Sequence, residues 1–180
     1  MDIYQIILTH NRRWSLLEMI CFAAVFVISA AILIFLYKYR KIYLSQVIAG
    51  LLLVVYLGIV FASTVFTRNS DGIWHYELMP FWSWREVLLG NTYMLTEIIL
   101  NVILFLPIGI LLPVLFHRTF RWRQGLLMGV LLSSVIEITQ LVSCRGLFEW
   151  DDMLHNGIGC MLGCLLADLV IRVRTGPAFR

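Results

Sequence analysis

Residues 133–163 read SSVIEITQLVSCRGLFEWDDMLHNGIGCMLG, and this stretch places polar side chains between two runs that are otherwise hydrophobic enough for a membrane. Those polar side chains are Glu137, Gln140, Arg145, Asp151, Asp152 and Asn156. A carboxylate near the centre of a bilayer has no water to solvate it, which costs about 3 kcal/mol or more. We therefore expect these side chains to face the interior of a helical bundle.

The whole chain has the composition of an integral membrane protein. Of its 180 residues, 61% are hydrophobic and only 14% are charged, and the mean hydropathy is +0.87. One soluble core could not cover so much apolar surface. The net charge of +3 comes from basic residues in short loops, so it indicates orientation in a membrane rather than a nucleic-acid surface. We expect no nucleic-acid partner.

Five apolar runs predict an all-α fold, a polytopic membrane helical bundle of about five transmembrane helices in the cell membrane. The runs cover residues 16–37, 47–66, 95–116, 125–143 and 153–173. Each is close to the roughly 20 residues that cross a bilayer. Basic residues in the links after the first and third runs place those links in the cytoplasm and the N-terminus outside. Arg12 and Arg13 oppose this orientation.

The runs predict a single membrane domain over residues 16–174. Before it comes an N-terminal segment, 1–15, for which a position at the membrane surface is one interpretation, and after it a cytoplasmic tail, 175–180. Residues 67–94 concentrate Trp and Tyr, whose rings favour the headgroup zone. Two interpretations of that segment stay open: a short helix after Pro80 on or in the outer leaflet, or an aromatic belt at two helix ends.

Depth counting brings polar residues of three helices to one level. Asn101 lies about six residues inside the third run and Glu137 about six residues from the end of the fourth, each ~9 Å below the boundary. Asn156 is slightly shallower, while Gln140 and Asp152 stand one turn above Glu137 and Asn156. The sequence therefore predicts an outward-facing polar pocket with the ligand-binding candidates Asn101, Glu137, Gln140, Arg145, Asp151, Asp152 and Asn156.

These polar residues also have a structural interpretation. Buried amides bond across membrane helices for about 1 kcal/mol each, which would account for Asn101 and Asn156. The same explanation is weaker for Glu137, because a neutral Gln would join helices at less cost. A structural ion pair between Glu137 and Arg145 is the alternative for that carboxylate.

Other chemistries find less support in the sequence. Ser133 and Ser134 precede Glu137 by one turn but lack a GxSxG elbow. The run DDMLH at 151–155 has Asp and His at helical spacing, but one histidine with carboxylates is a common surface arrangement, and we expect no metal and no cofactor. The cysteine spacing fits neither a disulfide scaffold nor a metal site, so the cysteines of the apolar runs are interpreted as packing residues.

The last run also carries a close-packing stripe and a charged pair. Gly159, Gly163 and Ala167 share one face, which predicts close contact with the third or fourth spanning helix. Asp168 and Arg172 lie one turn apart near the inner end and are interpreted as an ion pair at the membrane surface.

Several separate motifs resemble those of VanZ-like membrane proteins. They occur in family order as ELMPF at 77–81, NVILFLPIG at 101–109, SSVIEITQ at 133–140, Arg145, and DDMLHNGIGCMLG at 151–163. The resemblance covers about residues 67–167, and Glu77 departs from it where the family often has Asn. The positions that match the family pattern are Asn101, Phe105, Pro107, Gly109, Glu137, Gln140, Arg145, Asp152, Asn156 and Gly159.

The VanZ-like family is associated with teicoplanin resistance in Gram-positive bacteria, so the resemblance implies a cell-envelope protein that lowers sensitivity to lipoglycopeptides. The pocket is predicted to bind a polar headgroup, carried by a membrane lipid, a lipid-linked cell-wall precursor or the lipoglycopeptide. One alternative is a membrane-embedded enzyme acting on a lipid-linked envelope substrate, with Glu137 as general acid or base and Asp152 orienting water or substrate. A non-catalytic partner subunit is another. With no established catalytic motif, the sequence favours a protein that is not an enzyme.

Overall fold

A computed structural model describes residues 12–175, without the side chains of Arg172, Arg174 and Thr175. The first eleven residues of the predicted N-terminal segment and most of the predicted tail lie outside the described residues. The described chain forms six helices: α1 (Leu16–Lys38), α2 (Leu44–Phe61), α3 (Trp82–Leu88), α4 (Thr92–Phe116), α5 (Trp122–Ser143) and α6 (Trp150–Thr175). Five of them are long and apolar enough to cross a membrane, which confirms the predicted helical bundle.

The helix boundaries lie within about one turn of the ends of the predicted runs. Local hydrogen bonds set some of them. The Ser15 hydroxyl accepts from the Glu18 amide at 3.2 Å, and the Glu18 carboxylate accepts from the Ser15 amide at 2.7 Å, a reciprocal capping box that starts α1. Helix α4 continues without a break through Pro107 and Pro113. A π-helical turn, Ala62–Phe66, extends α2.

Helix α6 lies at the centre of the bundle because its glycines let two neighbours approach. A Cβ added at Gly159 would lie 2.2 Å from the Val102 carbonyl oxygen of α4, and one at Gly163 would lie 2.2 Å from that of Leu106. The predicted close-packing stripe is confirmed, with α4 as the partner. On the other side, a Cβ at Gly129 of α5 would meet the Cys160 side chain at 2.6 Å. Cys160 is a buried free thiol that serves packing.

The two ends of the bundle differ in charge. We call the end where α1, α4 and α6 begin the acidic end, because it holds every Asp and Glu of the described chain except Asp168. The opposite end, with the loops 39–43 and 117–121, is the basic end. Asp168 accepts from the Phe120 amide at 3.1 Å near the basic end. Its predicted ion pair falls on the Arg172 side chain, which lies outside the described residues.

A strand pair and a short helix fold over the acidic end. Strand β1 (His75–Glu77) pairs in parallel with β2 (Leu147–Glu149), a pairing that the sequence did not predict. A short helix after Pro80, one of the two interpretations of this segment, is present as α3. Just before it, Phe81 adopts a left-handed φ of 61°, a conformation that costs free energy for a bulky residue. Asp151 of α6 offsets this cost by accepting from the amides of Phe81 at 2.7 Å and Ser83 at 3.0 Å.

Replacing Gly159 with Ala should destabilise the bundle. The added Cβ meets backbone rather than a flexible side chain, so overpacking costs about 1–3 kcal/mol and exceeds the ~1 kcal/mol by which Ala favours a helix over Gly. Thermal unfolding in detergent should show a midpoint lower by about 2–4 °C per kcal/mol. Ala31→Val on the exposed surface of α1 is the control and should leave the midpoint unchanged. An unchanged midpoint for Gly159→Ala would contradict the close contact.

Candidate functional site

A cavity of about 630 Å³ lies at the acidic end, where the segment after the π-helical turn, α4, the end of α5 and the start of α6 meet. Most of the side chains that line it are polar or aromatic, and they come from several parts of the chain. The principal lining residues are Arg68, Asp71, His75, Trp82, Tyr93, Glu97, Asn101, Gln140, Cys144, Arg145, Glu149 and Asp152. The cavity is large enough to hold a polar headgroup.

Four of the seven predicted ligand-binding residues line this cavity, namely Asn101, Gln140, Arg145 and Asp152. The Asn101 amide donates to Asp152 Oδ1 at 2.6 Å and joins α4 to α6 across the cavity wall. Gln140 donates to the Thr64 carbonyl oxygen at 3.0 Å and joins α5 to the π-helical turn. Of the three residues predicted to share one level, only Asn101 lines the cavity, whereas Glu137 and Asn156 do not.

Glu137 lies behind the cavity wall rather than in it. Its side chain is 2% exposed, and its Oε2 accepts from the Glu149 amide at 3.0 Å. The alternative of an ion pair between Glu137 and Arg145 is wrong. Cys144 ends α5 in a left-handed conformation, and the chain after it directs Arg145 toward α1. There Arg145 Nη1 donates to Glu18 Oε1 at 2.8 Å.

Glu18 is therefore the carboxylate that partners Arg145. It also accepts from Arg12 Nη1 at 2.9 and 3.1 Å, while that nitrogen reaches the Phe66 carbonyl oxygen at 2.8 Å. In the sequence, the positive charge of Arg12 counted against an N-terminus outside the cell. In the structure this charge is compensated within a cluster of two guanidiniums, Arg12 and Arg145, and one carboxylate, Glu18. The cluster retains a net positive charge beside the cavity.

Asp151 and Asn156 are also buried outside the cavity lining. Both carboxylate oxygens of Asp151 accept bonds from the Phe81–Ser83 segment, so this side chain holds α3 in place. The Asn156 amide donates to the Ser133 hydroxyl at 2.8 Å and joins α6 to α5, as its structural interpretation predicts. His155 Nε2 accepts from the Trp84 indole at 3.0 Å. Over residues 12–175, no three His, Cys, Asp or Glu side chains lie close enough to hold a metal ion.

The cavity brings in four charged residues that sequence reasoning left out of the site: Arg68, Asp71, Glu97 and Glu149. Glu97 stands one turn before Asn101 on α4, a spacing that could have identified it. Glu149 accepts from the Trp82 indole at 3.1 Å, and this contact depends on the unpredicted strand pair. Burial, and then the nearby Asp152 carboxylate, raise the pKa of Glu149 to about 7.

Arg68 lines the cavity without an ion pair among the described residues. Of the carboxylates in the described part of the chain, none forms an ion pair with it, and its Nε is buried without a hydrogen-bond partner. Gly146 makes room for it, because a Cβ there would lie 2.8 Å from Arg68 Nη1 and 3.2 Å from the Gln140 side chain. A ligand group could therefore compensate this guanidinium.

These observations define a polytopic helical membrane protein with a charged cavity at one end of its bundle. The model of the VanZ/LLP1 family matches residues 47–171, more than half of the chain. The chain belongs to the VanZ/LLP1 family, which confirms the resemblance and extends it into α2. Helix α1 lies outside the matched residues. Neither the curated proteins nor the solved structures include a match to this chain.

Glu149→Gln should change how stability depends on pH. Because the pKa of Glu149 is about 7 in the fold and 4.5 ordinarily, the folded state holds a proton that the unfolded state releases between these values. Stability should fall as pH rises from about 4.5 through 7 and then level off. Gln stays neutral and keeps an acceptor for Trp82, so the unfolding midpoint should depend less on pH and be higher at pH 8.

Scanning fluorimetry over a pH series measures this difference. Glu86→Gln makes the same substitution outside the cavity lining and controls for the loss of a carboxylate elsewhere at the acidic end. Parallel midpoint curves for wild type and Glu149→Gln would contradict the raised pKa.

Proposed function

We propose that this VanZ/LLP1-family protein binds the polar headgroup of an envelope molecule in the acidic-end cavity and thereby lowers sensitivity to lipoglycopeptides such as teicoplanin. The bound molecule is a membrane lipid, a lipid-linked cell-wall precursor or the lipoglycopeptide. The observation that carries the proposal is the cavity of about 630 Å³ whose walls hold Asn101, Gln140, Arg145 and Asp152 together. The VanZ-like motifs supply these same four residues from three helices and one loop.

The cavity has the chemistry that a headgroup at a membrane surface requires. Guanidinium groups bind phosphate and carboxylate through several N–H donors at once, and the cavity offers Arg68 and Arg145. Amide and aromatic side chains next to them can position hydroxyl and ring groups. Leu100 also lines the cavity and is 57% exposed. It connects the cavity to the apolar surface of α4, along which an acyl chain could lie in the bilayer.

In the proposal, the acidic end faces the cell exterior. The basic end carries Lys38, Arg40 and Lys41 in one link and Arg118, Arg121 and Arg123 in or next to the other, and short basic links stay in the cytoplasm. An outward-facing cavity is accessible both to lipoglycopeptides and to precursor headgroups of the outer leaflet.

Binding is favoured over catalysis by the position of Glu137. A general acid or base must come within hydrogen-bond distance of the reacting group. The Glu137 carboxylate is buried behind the wall and already accepts from the Glu149 amide. Of the two catalytic candidates only Asp152 lines the cavity, and it is bonded to Asn101. If Glu137→Gln preserves folding and binding but abolishes conversion of a bound molecule, the result would support an enzymatic function instead.

Arg145→Ala and Gly146→Leu should release the bound molecule by two independent routes. The first removes a guanidinium, whereas the second fills the space in which Arg68 and Gln140 lie. Mass spectrometry of protein purified with its lipids should show a phosphate- or carboxylate-bearing molecule on wild type and about tenfold less on either variant, a change of ~1.4 kcal/mol. Cells expressing either variant should be more sensitive to teicoplanin than cells expressing wild type.

Leu88→Ala is the control, because Leu88 is 87% exposed on α3 outside the cavity lining. It should retain the bound molecule at the wild-type level. Arg145→Ala also removes the Arg145–Glu18 ion pair and could disturb folding. Gly146→Leu keeps that ion pair, so it tests the cavity without this change. The same bulk lipid on wild type and on both folded variants would contradict the proposal.

A further inference from the structure

The cavity lining holds charges of both signs, which we group by sign as a cationic side and an acidic side. Its cationic side consists of Arg68 and Arg145, the second of which belongs to the positively charged cluster with Arg12 and Glu18. Its acidic side consists of Glu97 of α4, Glu149 of β2 and Asp152 of α6, while the fourth carboxylate of the lining, Asp71, contacts His75.

No described ion pair joins the two sides. Each ion pair in the described chain involves either Glu18 or the Asp71–His75 contact. Arg68 lines the cavity and takes part in none of these ion pairs, so a ligand group can compensate its guanidinium. The acidic side has neutral donors, with Asn101 on Asp152 and Trp82 on Glu149, but no cation bonded to it.

We propose that the cavity selects a zwitterionic headgroup, one that carries a primary ammonium and a phosphate or carboxylate on the same molecule. The anionic group binds Arg68 and Arg145, and the ammonium binds the acidic side. This inference rests on the proposed function and names the class of ligand for the same site. An aminophospholipid headgroup and a peptide with a free amine and a free carboxylate share this chemistry.

The charges of the lining disfavour a ligand that carries charge of only one sign. A purely anionic headgroup would bring its phosphate to Arg68 and place the rest of the molecule against three acidic side chains with no cation of its own. A purely cationic ligand would meet two guanidiniums. Inside a partly enclosed cavity such unbalanced charges interact more strongly than in bulk water, so a ligand with both signs is preferred. Selectivity for a zwitterion therefore comes as much from repulsion of ligands with one charge sign as from attraction of the zwitterion.

The test compares ligand pairs that differ only in the ammonium. The first pair is short-chain phosphatidylethanolamine and its N-acetyl derivative, which keeps the phosphate and loses the positive charge. The second pair is an N-terminally acetylated, lysine-containing tripeptide with a free carboxylate and the same peptide acetylated on its lysine side chain as well, which keeps the carboxylate and loses the one ammonium. Binding of each to purified protein is measured by calorimetry in detergent, with phosphatidylglycerol as a purely anionic lipid.

Wild type should bind the free-amine member of one pair about tenfold more tightly than its acetylated partner, equivalent to ~1.4 kcal/mol. The pair that shows the preference identifies the source as a lipid headgroup or a peptide. Glu97→Gln should reduce the preference, which separates charge from the bulk of the acetyl group. Arg68→Gln should weaken both members of the pair. Glu86→Gln, outside the cavity lining, should keep the wild-type preference.

The two proposals fail in different ways. If phosphatidylglycerol and the acetylated ligands bind as tightly as the free amines, and Gly146→Leu abolishes that binding, the cavity is a headgroup site without zwitterion selection. That result overturns this inference and leaves the proposed function in place. If Gly146→Leu changes no binding at all, both proposals are overturned.

Discussion

A carboxylate that enters an apolar bundle needs a hydrogen-bond donor or a cation, and the acidic end of this protein is arranged around that requirement. Glu137 receives the Glu149 amide, Asp152 receives the Asn101 amide, and Asp151 receives two backbone amides of the α3 segment. Each bond joins two separate elements. Satisfying the acids therefore also fixes the positions of the elements around the cavity.

The glycines of α6 make this arrangement geometrically possible. Close contact with the Val102 and Leu106 carbonyls brings α4 beside α6, so that Asn101 reaches Asp152. Approach of α5 on the other side brings Ser133 to Asn156. The motif residues thus fall into two groups. Asp152, Asn101, Gln140 and Arg145 face the cavity, whereas Glu137, Asn156 and Gly159 hold the helices that form it.

The helices and much of the cavity could be predicted from the sequence, because hydrophobic length and depth are properties of continuous segments. Counting residues put Asn101, Glu137 and Asn156 near one level, with Asp152 one turn above Asn156; in the structure it is Asp152 that Asn101 contacts. The partner of Arg145 could not be found this way. Glu18 is distant in sequence and lies on α1, and its approach depends on how α1 packs and how the chain turns after Cys144. Arg68 and Glu149 were missed for the same reason, since loop and strand contacts bring them to the cavity.

The most direct test of an outward-facing, ligand-binding cavity is the reactivity of Cys144. This free thiol lines the cavity and is half-buried, Cys160 and Cys164 are buried, and Cys21 lies within α1. An impermeant maleimide should label Cys144 in intact cells, a bound headgroup ligand should slow that labelling, and Cys144→Ser should remove it. Labelling only after permeabilisation would contradict the orientation, and a rate unaffected by every headgroup ligand would contradict binding in the cavity.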